Sequence, residues 1–177
     1  PILMIKLPPK TKYLRRYAAY NYTHGIWTRP NDLESMTYTG QLLPADPTYS
    51  KNPAQVQFQV NPLANLTGYM LAAQHTTILN FNESEFKVNY YDEIQSFDAV
   101  EPYDQSYWVS YNRYTHSEAA LRNSQAIGPP EILAVPSELE DYLQEKAIEW
   151  TAGAATDYDK LKAIQNHLLE NYEFNEN

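Results

Sequence analysis

The sequence predicts an α+β chain: an antiparallel β-rich body, a sheet or a sandwich, followed by a C-terminal helical hairpin. Three observations predict it. Up to about residue 114, segments of alternating apolar and polar residues recur roughly every ten to fifteen residues, with turn formers between them. The apolar content is unusual in kind, with 16 Tyr and only 3 Met, and tyrosine suits half-buried pleated surfaces. Beyond residue 130 the apolar spacing changes to that of helices.

The elements follow in order. Pro8-Pro9 forbids a helix and favours an extended entry. From Tyr13 to Trp27 the chain is aromatic; Tyr20 and Tyr22 alternate around Asn21, His24-Gly25 is a turn and Trp27-Thr28 resumes a strand, so the stretch reads as a hairpin. Pro30, Pro44, Pro47 and Pro53 make residues 29–53 mostly loop, with one short strand at Met36–Tyr38. Residues 55–60 are the cleanest strand, with Val56, Phe58 and Val60 on one face, ended by Pro62. Tyr69–Ala73 fits a short strand or a helical turn, and Thr76–Phe81 fits a strand or a returning loop. Residues 85–90 put Phe86, Val88 and Tyr90 on one side; Ser96–Val100 is a weaker strand, and Tyr107–Tyr114 is a strand rich in aromatics. Composition shifts near residue 116, Ser117–Asn123 reads as one or two helical turns, and Gly128-Pro129-Pro130 is a linker. The expected division is therefore a β-rich domain over 1–128 and a helical hairpin over 129–177.

In that hairpin Ser137 and Glu140 spell a capping box ahead of Leu139, Leu143, Ala147 and Trp150. Gly153 suits the position past the helix end. Thr156 caps the second helix with Asp159 as its partner, and Leu161, Ile164, Leu168 and Tyr172 are expected to form its buried stripe.

Composition excludes several classes. A net charge of −9 disfavours nucleic acid and docking on an anionic membrane through a basic patch. No run approaches the roughly 20 apolar residues of a membrane span, so no direct insertion is expected. There is no Cys, which removes disulfides, thiolate-bound zinc and a thiol nucleophile. It also leans towards an exported protein. Sequons stand at Asn21, Asn65 and Asn82, a number near chance for this composition. The opening Pro1-Ile2-Leu3-Met4 reads as an excised or processed chain.

Chemistry-bearing motifs are sparse. His24, His75, His116 and His167 are isolated, with no paired metal spacing. Asp98, Glu101 and Asp104 lack the Gly and terminal Glu of a calcium loop and read as a solvated acidic segment. No G-x-S-x-G elbow and no glycine-rich phosphate loop occurs. No catalytic residue, metal ligand or cofactor is expected in these residues. Tyr20, Tyr22 and Trp27 are the candidate ligand-stacking residues, set against plain packing in the hairpin.

Two segments carry a resemblance. Arg15-Arg16-Tyr17 with Tyr20, Tyr22, His24-Gly25 and Trp27 resembles an aromatic region of membrane-anchored, transglutaminase-like (cysteine-protease-type) proteins of bacteria and archaea. The run from Thr156-Asp157-Tyr158-Asp159-Lys160 through Ile164, Leu168 and Asn171-Tyr172-Glu173-Phe174 looks like the helices that open their catalytic core. His24 stands where the family often has Asp; Leu161, His167 and Phe174 replace the usual Ala, aromatic and Tyr. The resemblance implies a thiol acyl-transfer core built on Cys, His and Asp, none of which falls on a position here. It further implies an extracytoplasmic location, a tether of membrane segments outside these residues, and the rest of the core as partner. These residues are then expected to be a non-catalytic accessory region that positions the core or its substrate. The alternative is a self-standing cell-surface β-sandwich that binds a glycan or peptide, or another cell-envelope protein. In the first case the helical hairpin is expected to dock on the β region or a neighbouring chain, or to be mobile.

Overall fold

The computed structural model describes residues 2–11, 13–16, 18–19, 21–23, 26–29, 34–43, 53–81, 87–92, 95–126 and 134–173. Along them run β1 (Leu3–Ile5), β2 (Asn21–Thr23), β3 (Ile26–Thr28), β4 (Met36–Tyr38), β5 (Ala54–Pro62), β6 (Leu66–Tyr69), β7 (Thr76–Phe81), β8 (Val88–Tyr91), β9 (Ser96–Tyr103) and β10 (Tyr107–Arg113). Three helices follow: α1 (Glu118–Arg122), α2 (Ser137–Trp150) and α3 (Asp157–Asn171). The fold is α+β, antiparallel in its strands and helical at its C-terminal end, as the alternation and the helical spacing predict. The chain divides into two compact units: Pro1–Ala19 with Arg29–Thr115, and Tyr20–Thr28 with His116–Asn177. The boundary expected at 128/129 lies outside the described residues.

The first unit holds two four-stranded antiparallel sheets, in the orders β1-β5-β10-β7 and β4-β8-β9-β6. From β4 to β8 the chain changes sheet at every strand. Both sheets turn alternate residues into one shared core: Phe58, Val60, Leu79, Tyr107 and Val109 from the first, Tyr38, Val88, Tyr90 and Phe97 from the second. The body is therefore two-layered. Burial is driven by apolar area, and here much of that area is aromatic. Phe97 meets Tyr90 at 4.7 Å and Tyr38 edge-on at 5.5 Å; Tyr107 meets Phe81 at 5.6 Å and Tyr103 at 6.1 Å.

Tyrosines buried in this way must place their hydroxyls. The fully buried Tyr38 uses its hydroxyl on the outer edge of β7: it accepts the Leu79 N–H at 2.8 Å and donates to the Leu79 carbonyl at 3.3 Å. Beside it the Leu43 N–H donates to the Thr77 carbonyl at 2.8 Å. A strand edge that would otherwise offer unpaired backbone groups is thus closed by the second sheet's first strand and the loop after it. Tyr107 donates to the Leu71 carbonyl at 3.0 Å, and burial pushes its ionisation well above the usual tyrosine range.

Most of the expected strands appear, with two refinements. The clean strand at 55–60 is β5, with Phe58 and Val60 buried and Pro62 as its last residue. The segment Tyr69–Ala73 is neither a separate strand nor a helical turn: β6 ends at Tyr69, and Ala72 forms an isolated bridge with Arg15. Leu3–Ile5, in the stretch read only as an extended entry, pairs with β5. Phe86, expected beside Val88 and Tyr90, lies outside the described residues.

In the second unit Thr156 caps α3, accepting from the Asp159 N–H at 3.1 Å while its hydroxyl donates to the Asp159 carboxylate at 2.7 Å. The capping box expected at Ser137 does not form: Ser137 is already helical and Pro136 occupies the cap position with no side-chain cap bond. The helix therefore starts at Ser137, one residue earlier than a capping box there requires. The expected buried stripe on α3 is also corrected. Leu161 is 62% exposed, Leu168 43% and Tyr172 58%, and neither α2 nor α3 contains a buried residue.

Candidate functional site

Of the candidate stacking residues, Tyr22 and Trp27 are placed on β2 and β3 and Tyr20 lies outside the described residues. Tyr22 and Trp27 are directly opposite in the hairpin register, with ring centroids 5.0 Å apart and planes tilted by 50°. Such a cross-strand pair stabilises a short hairpin. Tyr22 is half-buried; Trp27 is 61% exposed, and Ile26 beside it is exposed as well. The pair therefore combines a packing contact with an open indole face.

Within the first unit, Arg29 is held on several sides. Its guanidinium donates to both Asp98 oxygens, at 2.8 and 3.3 Å, and to the Ser96 hydroxyl at 3.1 Å. It also lies over the rings of Tyr69 at 4.6 Å and Tyr91 at 4.9 Å. Both charged side chains are mostly covered, with 13% and 19% of their area exposed. A planar fork held by a carboxylate and flanked by aromatic faces is a role lysine fills poorly. It commits Asp98 to an ion pair.

In the second unit the helix junctions are polar. Arg122 on α1 donates to Asp159 at 2.9 Å and to Glu118 at 3.2 Å, and it lies over the Tyr158 ring at 5.3 Å. The Ala126 N–H donates to Asp157. The Thr156 hydroxyl and Arg122 hold Asp159 below the usual carboxylate range, and the Ala126 N–H and Lys160 do the same for Asp157. Between α2 and α3, His167 stacks on Trp150 at 4.2 Å with planes 21° apart, and its backbone carbonyl accepts from Asn171 at 2.8 Å. Leu143 and Ile148 on α2 and Leu161, Leu168 and Leu169 on α3 remain exposed.

The remaining histidines are scattered. His75 has a φ of 60° and meets Tyr114 edge-on at 5.0 Å, His116 is exposed, and His24 lies outside the described residues. Among the described residues no three His, Asp or Glu are placed to hold a metal. A shallow depression of about 450 Å³ is lined by Tyr13, Leu14, Arg15, Arg16 and Gln74, and no nucleophile–base pair stands among these residues. Comparison with known protein families, curated proteins and solved structures finds no match to this chain.

Proposed function

We propose that these residues form a non-catalytic, extracytoplasmic accessory region of a transglutaminase-like membrane protein. In this reading α2 and α3 are the opening helices of the thiol-dependent core, and the β unit positions that core or its substrate. The observation that supports the reading is the cap of α3: Thr156 and Asp159, inside the segment that resembles the family's opening helices, make the expected capping bonds. The exposure of Leu161, Leu168 and Tyr172 counts against the docking expected of that helix. The absence of Cys supports assigning no acyl-transfer step to these residues. Among the described residues no helix is long and apolar enough to cross a membrane, and in this reading the tether lies outside them.

Transamidase and peptidase assays test it. Residues 1–177 alone should show no turnover of a glutamine-peptide and amine pair or of an unfolded protein substrate. A chain extended through the following coding sequence should turn over one of them and lose that activity to iodoacetamide. Turnover by residues 1–177 alone sinks the proposal.

A second reading, a cell-surface module binding glycan or peptide at the hairpin, is favoured by one observation, the open face of Trp27 beside Tyr22. Trp27→Ala separates binding from packing: lost binding with an intact fold supports the module, and unfolding supports a packing role.

A further inference from the structure

We propose a binding face away from that hairpin: the outer face of the sheet β1-β5-β10-β7 takes a neutral glycan, with Trp108 as its stacking platform. The strand register builds it. Tyr107, Val109 and Tyr111 turn inward and are buried, so Trp108 and Ser110 turn outward. Trp108 stands directly opposite Gln59 on one side and Asn80 on the other. Phe58 and Val60 turn inward on β5, which leaves Gln57, Gln59 and Asn61 on the same outer face. The central indole, 42% exposed, is thus flanked by primary amides within one strand spacing, about 5 Å.

The chemistry selects the ligand. Charged residues make up 20% of the chain, yet none occupies an outward position on β5, β10 or β7 across this face. An anionic or cationic partner finds no counter-charge here, so the matched ligand is uncharged. β10 is hydrogen-bonded to β5 and β7, so an extended peptide cannot add a strand at this face; recognition must run through side chains. Each primary amide offers a donor and an acceptor together, which is what a hydroxyl presents in return. The C–H face of a sugar ring packs on an indole face. Part of the amide row is already oriented: Gln57 donates to the Ser110 hydroxyl at 2.8 Å, and Asn61 accepts from the Ser106 hydroxyl at 2.9 Å. The Gln59 and Asn80 side chains, on either side of the ring, make no hydrogen bond among the described residues and are left for the ligand.

Native affinity electrophoresis of the 177-residue chain tests the proposal. The gels contain β-glucan, mannan, xylan or, as the anionic comparison, polygalacturonate. Retardation by at least one neutral polysaccharide is expected. It should weaken about tenfold in Trp108→Ala, the factor expected for a lost stacking partner. It should be partly retained in Trp108→Phe, fall several-fold in a Gln59→Ala/Asn80→Ala double variant, and be unchanged in Trp27→Ala. Circular dichroism checks each fold, and if Trp108→Ala unfolds, the Phe and amide variants decide. Three outcomes overturn it: no retardation by any neutral polysaccharide, retardation by polygalacturonate alone, or retardation that survives Trp108→Ala and is lost in Trp27→Ala.

Discussion

Replacing Tyr38 by Phe removes one oxygen from the middle of the β unit and leaves the ring against Phe97. That oxygen accepts the Leu79 N–H at 2.8 Å and donates to the Leu79 carbonyl at 3.3 Å, and both residues are fully buried. Water cannot replace it without opening the core, so the N–H loses its acceptor at a cost of about 1–3 kcal/mol. Taking about 2 kcal/mol, the thermal midpoint falls by roughly 4–8 °C for a chain of this length. The urea midpoint falls by roughly 1 M if the slope is near 2 kcal/mol per M. Tyr90→Phe is the internal comparison: its hydroxyl binds Asp92 at 3.0 Å, and Asp92 is exposed and rehydrates, so the loss is under about 1 kcal/mol. The assay is urea unfolding of the β unit followed by near-ultraviolet circular dichroism. If Tyr38→Phe costs no more than Tyr90→Phe, the hydroxyl is not holding the β7 edge and the reasoning is refuted.

Three further outcomes are expected. Asp98→Asn leaves the covered Arg29 guanidinium without its counter-charge and should destabilise the β unit by about 3 kcal/mol, with Arg29→Lys costing less; a loss under roughly 0.5 kcal/mol in urea unfolding would rule out a mostly buried pair. Thr156→Ala removes the α3 cap and should cost about 1 kcal/mol, read as lower helicity at 222 nm, whereas Ser137→Ala should change little because Ser137 makes no cap bond. Burial raises the ionisation of Tyr38, Tyr90, Tyr103 and Tyr107. A folded value above the unfolded one gives stability that is whole below about pH 10 and lost as pH rises past it. Absorbance at 295 nm should then show a tyrosine transition that coincides with the loss of near-ultraviolet circular dichroism; tyrosine ionisation that is complete before the fold is lost would contradict this.

The strands were readable where one face is dry and the other wet. Val56-Gln57-Phe58-Gln59-Val60 declares its register because each inward residue is apolar and each outward one polar. Leu3–Ile5 and Leu66–Tyr69 were not, because both are short edge strands and the partner supplies much of what makes them strands. Cap chemistry was legible at Thr156, where side chain and backbone agree, and misleading at Pro136-Ser137, where the proline takes over the cap position. The site divides in the same way. Tyr22 and Trp27 are adjacent through a local hairpin, so spacing alone pairs them. Arg29 and Asp98 are far apart in sequence, and nothing local links them. Trp108 was hidden by its inward neighbours: the stretch reads as uniformly aromatic until burial separates Tyr107 and Val109 from the indole between them.

The central claim, that α2 and α3 open a thiol-dependent core, is tested most directly by the coding sequence that follows Asn177. The account predicts an in-frame cysteine shortly after Phe174, followed by a histidine and an aspartate. A downstream frame that carries no cysteine, or that stops before one, would contradict it.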